Sequence, residues 1–307
     1  MRRLLLLFAV SLSSPLWAAS PRADIVVFAT HPDDESLGCG GILAQAVAQG
    51  KTAKVVLLTS GDGFPDMASV LTKKPNDKLV PADFMVLTRF RQNQTRQAVI
   101  ALGLKPEDLI VLGYPDSGLE RIYLSESAVP FRQQYTQKSE TYALIQKDYH
   151  SATHGAPAPY TRAAVLADLV EILETLQPKQ IYVTDAADTH ADHRTSFWFV
   201  RDAAKAVKYQ GEFYTYLVHG GPEWPWPIGI TPEQPLQAHT VKGVTVPGGV
   251  SWPPPRRVPL TREQADKKLL AIRAHSSHLT QPSMLAEREY LESFVKSEEV
   301  FWLPKLD

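Results

Sequence analysis

Asp24-Ile25-Val26-Val27-Phe28-Ala29 is a short apolar, β-branched run, and after Thr30 it leads straight into His31-Pro32-Asp33-Asp34-Glu35 and then Gly38, Gly40 and Gly41. This junction constrains the fold more than any other stretch. A short apolar run without polar alternation suits a strand buried in a sheet. Leu37 to Gln49 follows with helical spacing, so that Leu37, Gly41, Leu43 or Ala44 and Val47 share a face. The glycines fit close packing of that helix on the sheet. A nucleotide loop is a poor alternative for the Gly-x-Gly, because Asp33 to Glu35 would repel a pyrophosphate at the same point.

The pattern then repeats. Strand candidates lie at Lys54–Thr59, Asp108–Leu112, Gln180–Thr184 and Phe213–Val218, with helical patterns at Phe84–Leu102, Arg162–Leu176 and His193–Val207. Alternating strands and helices predict a Rossmann-like α/β fold, a mostly parallel sheet with helices on both faces. Two stretches become long rim insertions. Residues 114–160 are too long for a bare loop and must carry some structure. Residues 222–259 hold ten of the 24 prolines together with Trp224, Trp226 and Trp252, which excludes a helix or a central strand there.

Charge and leader narrow the function classes. With 32 Lys or Arg against 33 Asp or Glu, the net charge is −1, without the clustered basic excess that nucleic acid or an anionic membrane requires. Arg2-Arg3, the apolar run Leu4–Val10 and the small residues up to Ala18-Ala19 read as a signal peptide over 1–19, cleaved near Ala18 or Ala19. The expected working domain is 20–307, secreted or periplasmic. No transmembrane segment is expected in the mature chain, since the leader's apolar run is far shorter than the ~20 residues a span needs. Cys39 is the only cysteine and forbids an intrachain disulfide. Among glycines and without a cysteine partner, it reads as a small buried thiol. Oligomeric state is left open.

The chemistry concentrates in two clusters. His31-Pro32-Asp33-Asp34-Glu35 sits at the carboxyl edge of the first strand, where ligands bind in open parallel sheets. Imidazole and carboxylate are ligands of hydrolytic zinc sites, and two adjacent aspartates take different roles only if a cation holds one of them. Asp188-Thr189-His190-Ala191-Asp192-His193 follows a later strand in the same way, and its two histidines can supply a metal ligand and an acid/base group. Ser36 lacks any nucleophile-elbow context.

These residues resemble the LmbE/PIG-L family of zinc-dependent N-deacetylases. The family's H-P-D-D-E-x-x-G-x-G-G is matched in full from His31 to Gly41, and its H-P-D-H is matched by His190-Ala191-Asp192-His193, with Ala191 in place of proline. The similarity extends to Gly113-Tyr114-Pro115-Asp116, Pro159-Tyr160-Thr161-Arg162, Trp224-Pro225-Trp226-Pro227 and Ala274-His275-Ser276-Ser277-His278. The resemblance implies that His31, Asp34 and His193 bind Zn2+, although such a set also accepts other divalent metals. It further implies that Asp33 is the general base, that His190 is a protonated partner at the reacting carbonyl, and that Asp192 orients His190. Either Asp33 or His190 could pass a proton to the leaving amine. Arg91 and Asp116 resemble contacts to sugar hydroxyls, with a structural Arg–Asp pairing as the alternative. Gln94 replaces a common glutamate, which would weaken an ion pair with Arg91 to a hydrogen bond. Of the remaining histidines, only His154 is expected near the site.

The function implied is removal of acetate from an N-acetylated sugar or glycoconjugate, the expected substrate partner. A metalloamidase for a non-sugar acylamide and a glycan-binding protein with an idle metal site are the alternatives. The tryptophans of the proline-rich stretch could stack on sugar rings or simply pin that stretch to the core.

Overall fold

The computed structural model describes residues 22–220, 227–238, 240, 243, 248–276, 278–280, 284–304 and 306. The expected signal segment, Trp224 and Trp226 lie outside the described residues. Five strands form the main sheet: β1 (Ile25–Ala29), β2 (Ala53–Thr59), β3 (Leu109–Tyr114), β4 (Gln180–Thr184) and β5 (Glu212–Tyr216). They are all parallel, in the order β3-β2-β1-β4-β5. The chain winds outward from β1 to β3 and then returns to β4 on the other side of β1. The fold is therefore the mostly parallel, Rossmann-like α/β architecture that the alternating pattern predicts.

Side-chain alternation divides the core in two. Val27, Val55, Leu57, Val111 and Tyr182 point to one face and join Leu37, Leu43 and Leu87 of α1 (Asp34–Ala48) and α3 (Pro81–Ala101). Met67 and Ala68 of α2 (Pro65–Thr72) belong to the same layer. Val26, Phe28, Val56, Leu58 and Val183 point to the other face, under α6 (Arg162–Leu176) and α7 (Ala191–Ala206). Period-2 alternation makes this separation automatic, since successive strand residues must face opposite layers.

The insertion at 114–160 carries α4 (Leu119–Leu124) and α5 (Tyr149–His154). The C-terminal part adds α8 (Arg262–Ser276), which packs on α1 and α3, and α9 (Leu285–Glu292). A two-stranded antiparallel ribbon pairs β6 (Arg256–Pro259) with β7 (Glu298–Phe301). Its proline stands in an edge ribbon, where the lost amide costs no ladder bond in a central sheet. No helix among the described residues is long and apolar enough to cross a membrane.

Two glycines of α1 allow the close packing inferred from their spacing. A Cβ at Gly38 would stand 2.2 Å from Tyr216 Cδ2, and one at Gly41 would stand 2.4 Å from Leu260 Cδ1. The Tyr216 ring cannot yield easily, because it is buried and its hydroxyl donates to Phe28 O at 3.0 Å. Gly38→Ala is therefore expected to destabilise the fold by about 1–3 kcal/mol, the usual cost of overpacking a core. An unchanged denaturant midpoint in that variant would show that helix and sheet are not in tight contact.

Behind Gly41, Glu299 accepts the amides of Gly41 at 2.7 Å and Ile42 at 2.8 Å, and pairs with Lys268 at 2.7 Å. Cys39 is fully buried, and burial followed by the charge of Glu299 pushes its thiol well above the usual range. It is a protonated packing residue with no thiolate to offer a metal.

Candidate functional site

The site forms where the winding reverses, between the carboxyl ends of β1 and β4, the position at which open α/β sheets bind ligands. A layer of short polar side chains makes its floor. Thr30 Oγ1 donates to Ser196 Oγ at 2.9 Å, and Thr59 Oγ1 donates to Thr30 O at 2.8 Å. Thr184 Oγ1 donates to His193 O at 2.8 Å, tying the start of α7 to the end of β4.

On this floor three donor atoms converge. His31 Nδ1 lies 3.0 Å from His193 Nε2, and Asp34 Oδ2 lies 3.2 Å from His193 Nε2 and 3.8 Å from His31 Nδ1. Donors of a tetrahedral zinc site, each about 2.0–2.1 Å from the ion, stand about 3.3 Å apart. The triangle therefore has the size and chemistry of a two-histidine, one-carboxylate metal centre. His31 Nε2 is buried without an aligned hydrogen-bond partner, although Asp116 Oδ1 is 3.3 Å away and Asp192 Oδ2 3.6 Å away. Among the described residues two further groups have ligand atoms within 4.8 Å of one another: His31, His190 and His193, and His31, Asp116 and Asp192.

The field around these atoms favours positive charge. Burial alone would depress His31, yet Asp116 and Asp192 lift its pKa to about 10. Burial also opposes ionisation of Asp34, but His193 and His31 hold its carboxyl well below the usual range. His193 is gripped from behind, with Nδ1 3.1 Å from Asp188 Oδ2. Asp188 is fully buried and also accepts the amides of His190, Val218 and His219 at 2.9–3.0 Å. A carboxylate behind an imidazole is the usual orienting partner of a metal-binding histidine. Sequence reasoning did not assign Asp188 a role; its signal was its place two residues before His190.

Asp33 stands beside the triangle, partly exposed to the cavity. Its backbone has φ 131° and ψ −30°, a region that side chains other than glycine rarely adopt. Burial, opposed by Arg91, raises its carboxyl to about 6. Arg91 Nη2 donates to Pro32 O at 2.8 Å and to Asp33 Oδ2 at 3.3 Å, and Nη1 donates to Gly61 O at 3.2 Å. The arginine lines the cavity, but all these bonds go to the protein itself, and its carboxylate partner is Asp33. Asp116 is buried against His31, with Oδ2 accepting Gly63 N at 2.9 Å.

His190 is the N-cap of α7, and its Nδ1 accepts the amide of Asp192 at 3.3 Å. That bond leaves the ring proton of a neutral imidazole on Nε2. Burial, then the charges of His31 and His193, lower its pKa to about 3. His190 thus accepts a helix amide through Nδ1 while lining the cavity. The contact between Asp192 and His190 runs through the Asp192 amide, not its carboxylate. That carboxylate accepts the amides of Ser117 at 2.6 Å and Leu119 at 3.2 Å, fastening the 117–119 turn to α7.

Two further expectations change, for His154 and Gln94, and Trp252 takes one of its two alternatives. His154 is far from this constellation in its bonding and pairs with Glu171 at 2.8 Å on the exposed side of α5. Gln94 does not reach Arg91; it donates to His275 O at 2.9 Å and meets His278 Nδ1 at 3.1 Å, joining α3 to α8. Trp252 packs partly buried against the core with the Arg257 guanidinium over its ring, so it pins the proline-rich stretch.

The cavity in front of these residues has a volume of about 350 Å³. Its walls include His31, Asp33, Arg91, Asp116 and His190, and also His219, Glu287 and Tyr290, which sequence reasoning left out. Tyr290 Oη donates to Val218 O at 2.6 Å, which brings α9 over the end of β5. The cavity falls within the usual range for small-ligand sites, about 300–1,000 Å³.

Residues 26–204 match the family described as PIG-L, GlcNAc-PI de-N-acetylase. No curated protein matches the sequence. Among solved structures, the N,N'-diacetylchitobiose deacetylase of Pyrococcus horikoshii is 17% identical with a TM-score of 0.55, covering 92% of this chain and 85% of its own. A conserved protein of Thermus thermophilus is 20% identical with a TM-score of 0.50, covering 93% and 96%. The zinc-inhibited form of a teicoplanin deacetylase is 16% identical with a TM-score of 0.50, covering 88% and 90%. At these identities the likeness establishes a common fold.

Proposed function

Since the chain belongs to the PIG-L, GlcNAc-PI de-N-acetylase family, we propose that it is a metal-dependent hydrolase that removes the acetyl group from an N-acetylated amino sugar or glycoconjugate. The observation that carries this reading is the convergence of His31 Nδ1, His193 Nε2 and Asp34 Oδ2, with the Asp33 carboxylate beside them at the cavity. Those three residues would hold Zn2+ or another divalent ion, which when bound supplies a Lewis acid and lowers the pKa of water.

The remaining steps are assigned to residues of the chain. Asp33, ionised, takes a proton from the attacking water as the acetamide carbon becomes tetrahedral. His190 Nε2–H, held in its neutral tautomer by the amide of Asp192, donates to the developing oxyanion and need not give up its proton. Asp33, now protonated, returns the proton to the leaving amine, and the C–N bond breaks to give acetate and a free amine. Asp188 and Asp192 act behind the reacting groups, the first by fixing His193 and the second by fixing the 117–119 turn beside Asp116. We also assign the reaction to the secreted or periplasmic side on the strength of residues 1–19; the N-terminal residue of the exported protein tests this.

Acetate release from N-acetylglucosamine and its oligomers, sensitive to chelation and restored by zinc, tests the proposal. Release only from N-acetyl amino acids would move the chain to the non-sugar amidases. The pH profile gives a second check. A base works deprotonated, so kcat/KM must fall as pH drops through the Asp33 pKa, raised to about 6 by burial. A bound cation would move that midpoint down, toward the ordinary value of 3.8, and never up. An acid limb lying above pH 7 would assign the base to another group.

A further inference from the structure

Asp33 holds a backbone conformation of φ 131° that an aspartate does not keep unaided. Its peptide bond with Pro32 is gripped at both polar ends. The Pro32 carbonyl accepts Arg91 Nη2 at 2.8 Å, and the Asp33 amide donates to Glu35 Oε2 at 3.2 Å. The other oxygen of Glu35 accepts Ser36 Oγ at 2.7 Å and faces His275 Nε2 at 2.8 Å. Glu35 is fully buried, and His275, at 4% exposure, reaches it from α8 across 240 residues of sequence.

The contacts define the direction of this bond. Among the described residues His275 Nδ1 has no hydrogen-bond partner, so the ring's contact with Glu35 is a donation from Nε2–H to the carboxylate. A buried carboxylate that accepts three donors is fixed in direction, and an unshared one would turn or draw in water. Gln94, donating to the His275 carbonyl at 2.9 Å, locks the same turn of α8 to α3, the helix that carries Arg91. The Arg91 jaw on α3 and the His275 buttress behind the Glu35 jaw of α1 are therefore mounted on one packed helix pair.

We propose that Glu35 and His275 are positioning residues: opposite Arg91, they hold the Pro32–Asp33 peptide in its left-handed conformation and so aim the Asp33 carboxylate into the cavity. The proposal rests on the reading of Asp33 as the base. Neither residue touches the reacting atoms. Their effect falls on the orientation of Asp33 and not on metal or substrate binding, and a misplacement of about 1 Å can cost roughly 10²-fold in rate.

The test uses the full chain loaded with zinc. His275→Leu keeps bulk but removes the donor, and His275→Gln restores an N–H at similar reach. His275→Leu is expected to lower kcat about 10–100-fold, with KM and zinc content within a factor of about two of the parent, while His275→Gln recovers most of the loss. A crystal structure of His275→Leu is expected to place residue 33 at negative φ. Glu35→Gln, which sets an amide donor against His275, carries the same measurements if His275→Leu does not fold. Parental kcat in both His275→Leu and Glu35→Gln, equal losses in His275→Leu and His275→Gln, or residue 33 unmoved in the variant crystal would each overturn the proposal. If the parent releases no acetate from any acyl sugar, the functional reading fails, while the φ of residue 33 still decides whether the clamp exists.

Discussion

Asp33→Asn is expected to lower acetate release by about 10³-fold, the middle of the range for loss of a general base, and to leave the metal content of the protein unchanged. The two side chains have the same shape, and asparagine tolerates positive φ as well as aspartate does. The carbonyl oxygen of the new amide can still accept from Arg91, so the cavity wall should keep its form. What disappears is the ability to take a proton. Asp33 is not one of the three converging donors, so stripping of the metal would not explain the loss. The measurement is kcat beside metal analysis on the same preparation. Activity within a factor of ten of the parent would remove Asp33 from the base role; loss of metal would make it a ligand instead.

His193→Ala is expected to abolish both metal retention and turnover, and to cost stability even without metal. One corner of the donor triangle goes, and Asp188 and Asp34 lose the imidazole between them. Removing one partner of a buried charged pair costs about 3–5 kcal/mol. Asp188 keeps three backbone amides, which places the expected cost near the lower end. In the parent, zinc should raise the thermal midpoint by mass action, because the unfolded chain lacks the assembled site; in the variant that rise should vanish. A variant that still binds zinc stoichiometrically would place the centre on His31, Asp116 and Asp192, the neighbouring group of ligand atoms.

The sheet was legible because its strands are buried on both faces and read as continuous apolar runs. Gln180–Thr184 and Arg162–Leu176 coincide with β4 and α6 at both ends. Other boundaries moved where a turn residue was under-read. Pro81 opens α3 three residues before the first apolar position, and Asp83 Oδ2 accepts the Val80 amide there. Strand β5 ends at Tyr216, before the expected Val218. Helices α8 and α9 were not expected at all. The inward residues of α8 include Ala265, Lys268, Ala271, Ile272 and His275, a stripe too small and too polar to raise an apolar period. The helix is held instead by the buried Lys268–Glu299 pair and by His275 on Glu35.

The site was legible to the extent that its residues cluster in sequence. His31, Asp33, Asp34, His190 and His193 meet at one sheet edge because each cluster follows a strand next to the point where winding reverses. Asp188 was overlooked because a carboxylate that takes backbone amides looks the same in sequence as an exposed one. His219, Glu287 and Tyr290 were overlooked because single residues far along the chain carry no local pattern. The charge states of His190 and Asp33 were beyond reach for a related reason. They depend on burial and on a helix amide, which only the fold sets.

Glu299 grips the amides of Gly41 and Ile42, and Trp302 pairs with Thr215 of the edge strand. Helix α1, near the start of the described residues, is thus seated by residues about 260 positions later. A polypeptide made from its N-terminus has both histidine clusters in hand long before the strand that seats α1 exists, and such distant pairings form slowly. Until then Lys268 lacks its Glu299 partner, and the amides of Gly41 and Ile42 lack the carboxylate that holds them. A message cut short just before Glu299 would therefore yield a chain with His31, Asp34 and His193 all present and no firm seat for the helix beginning at Asp34. That product would be a substrate for proteases before it could be an enzyme.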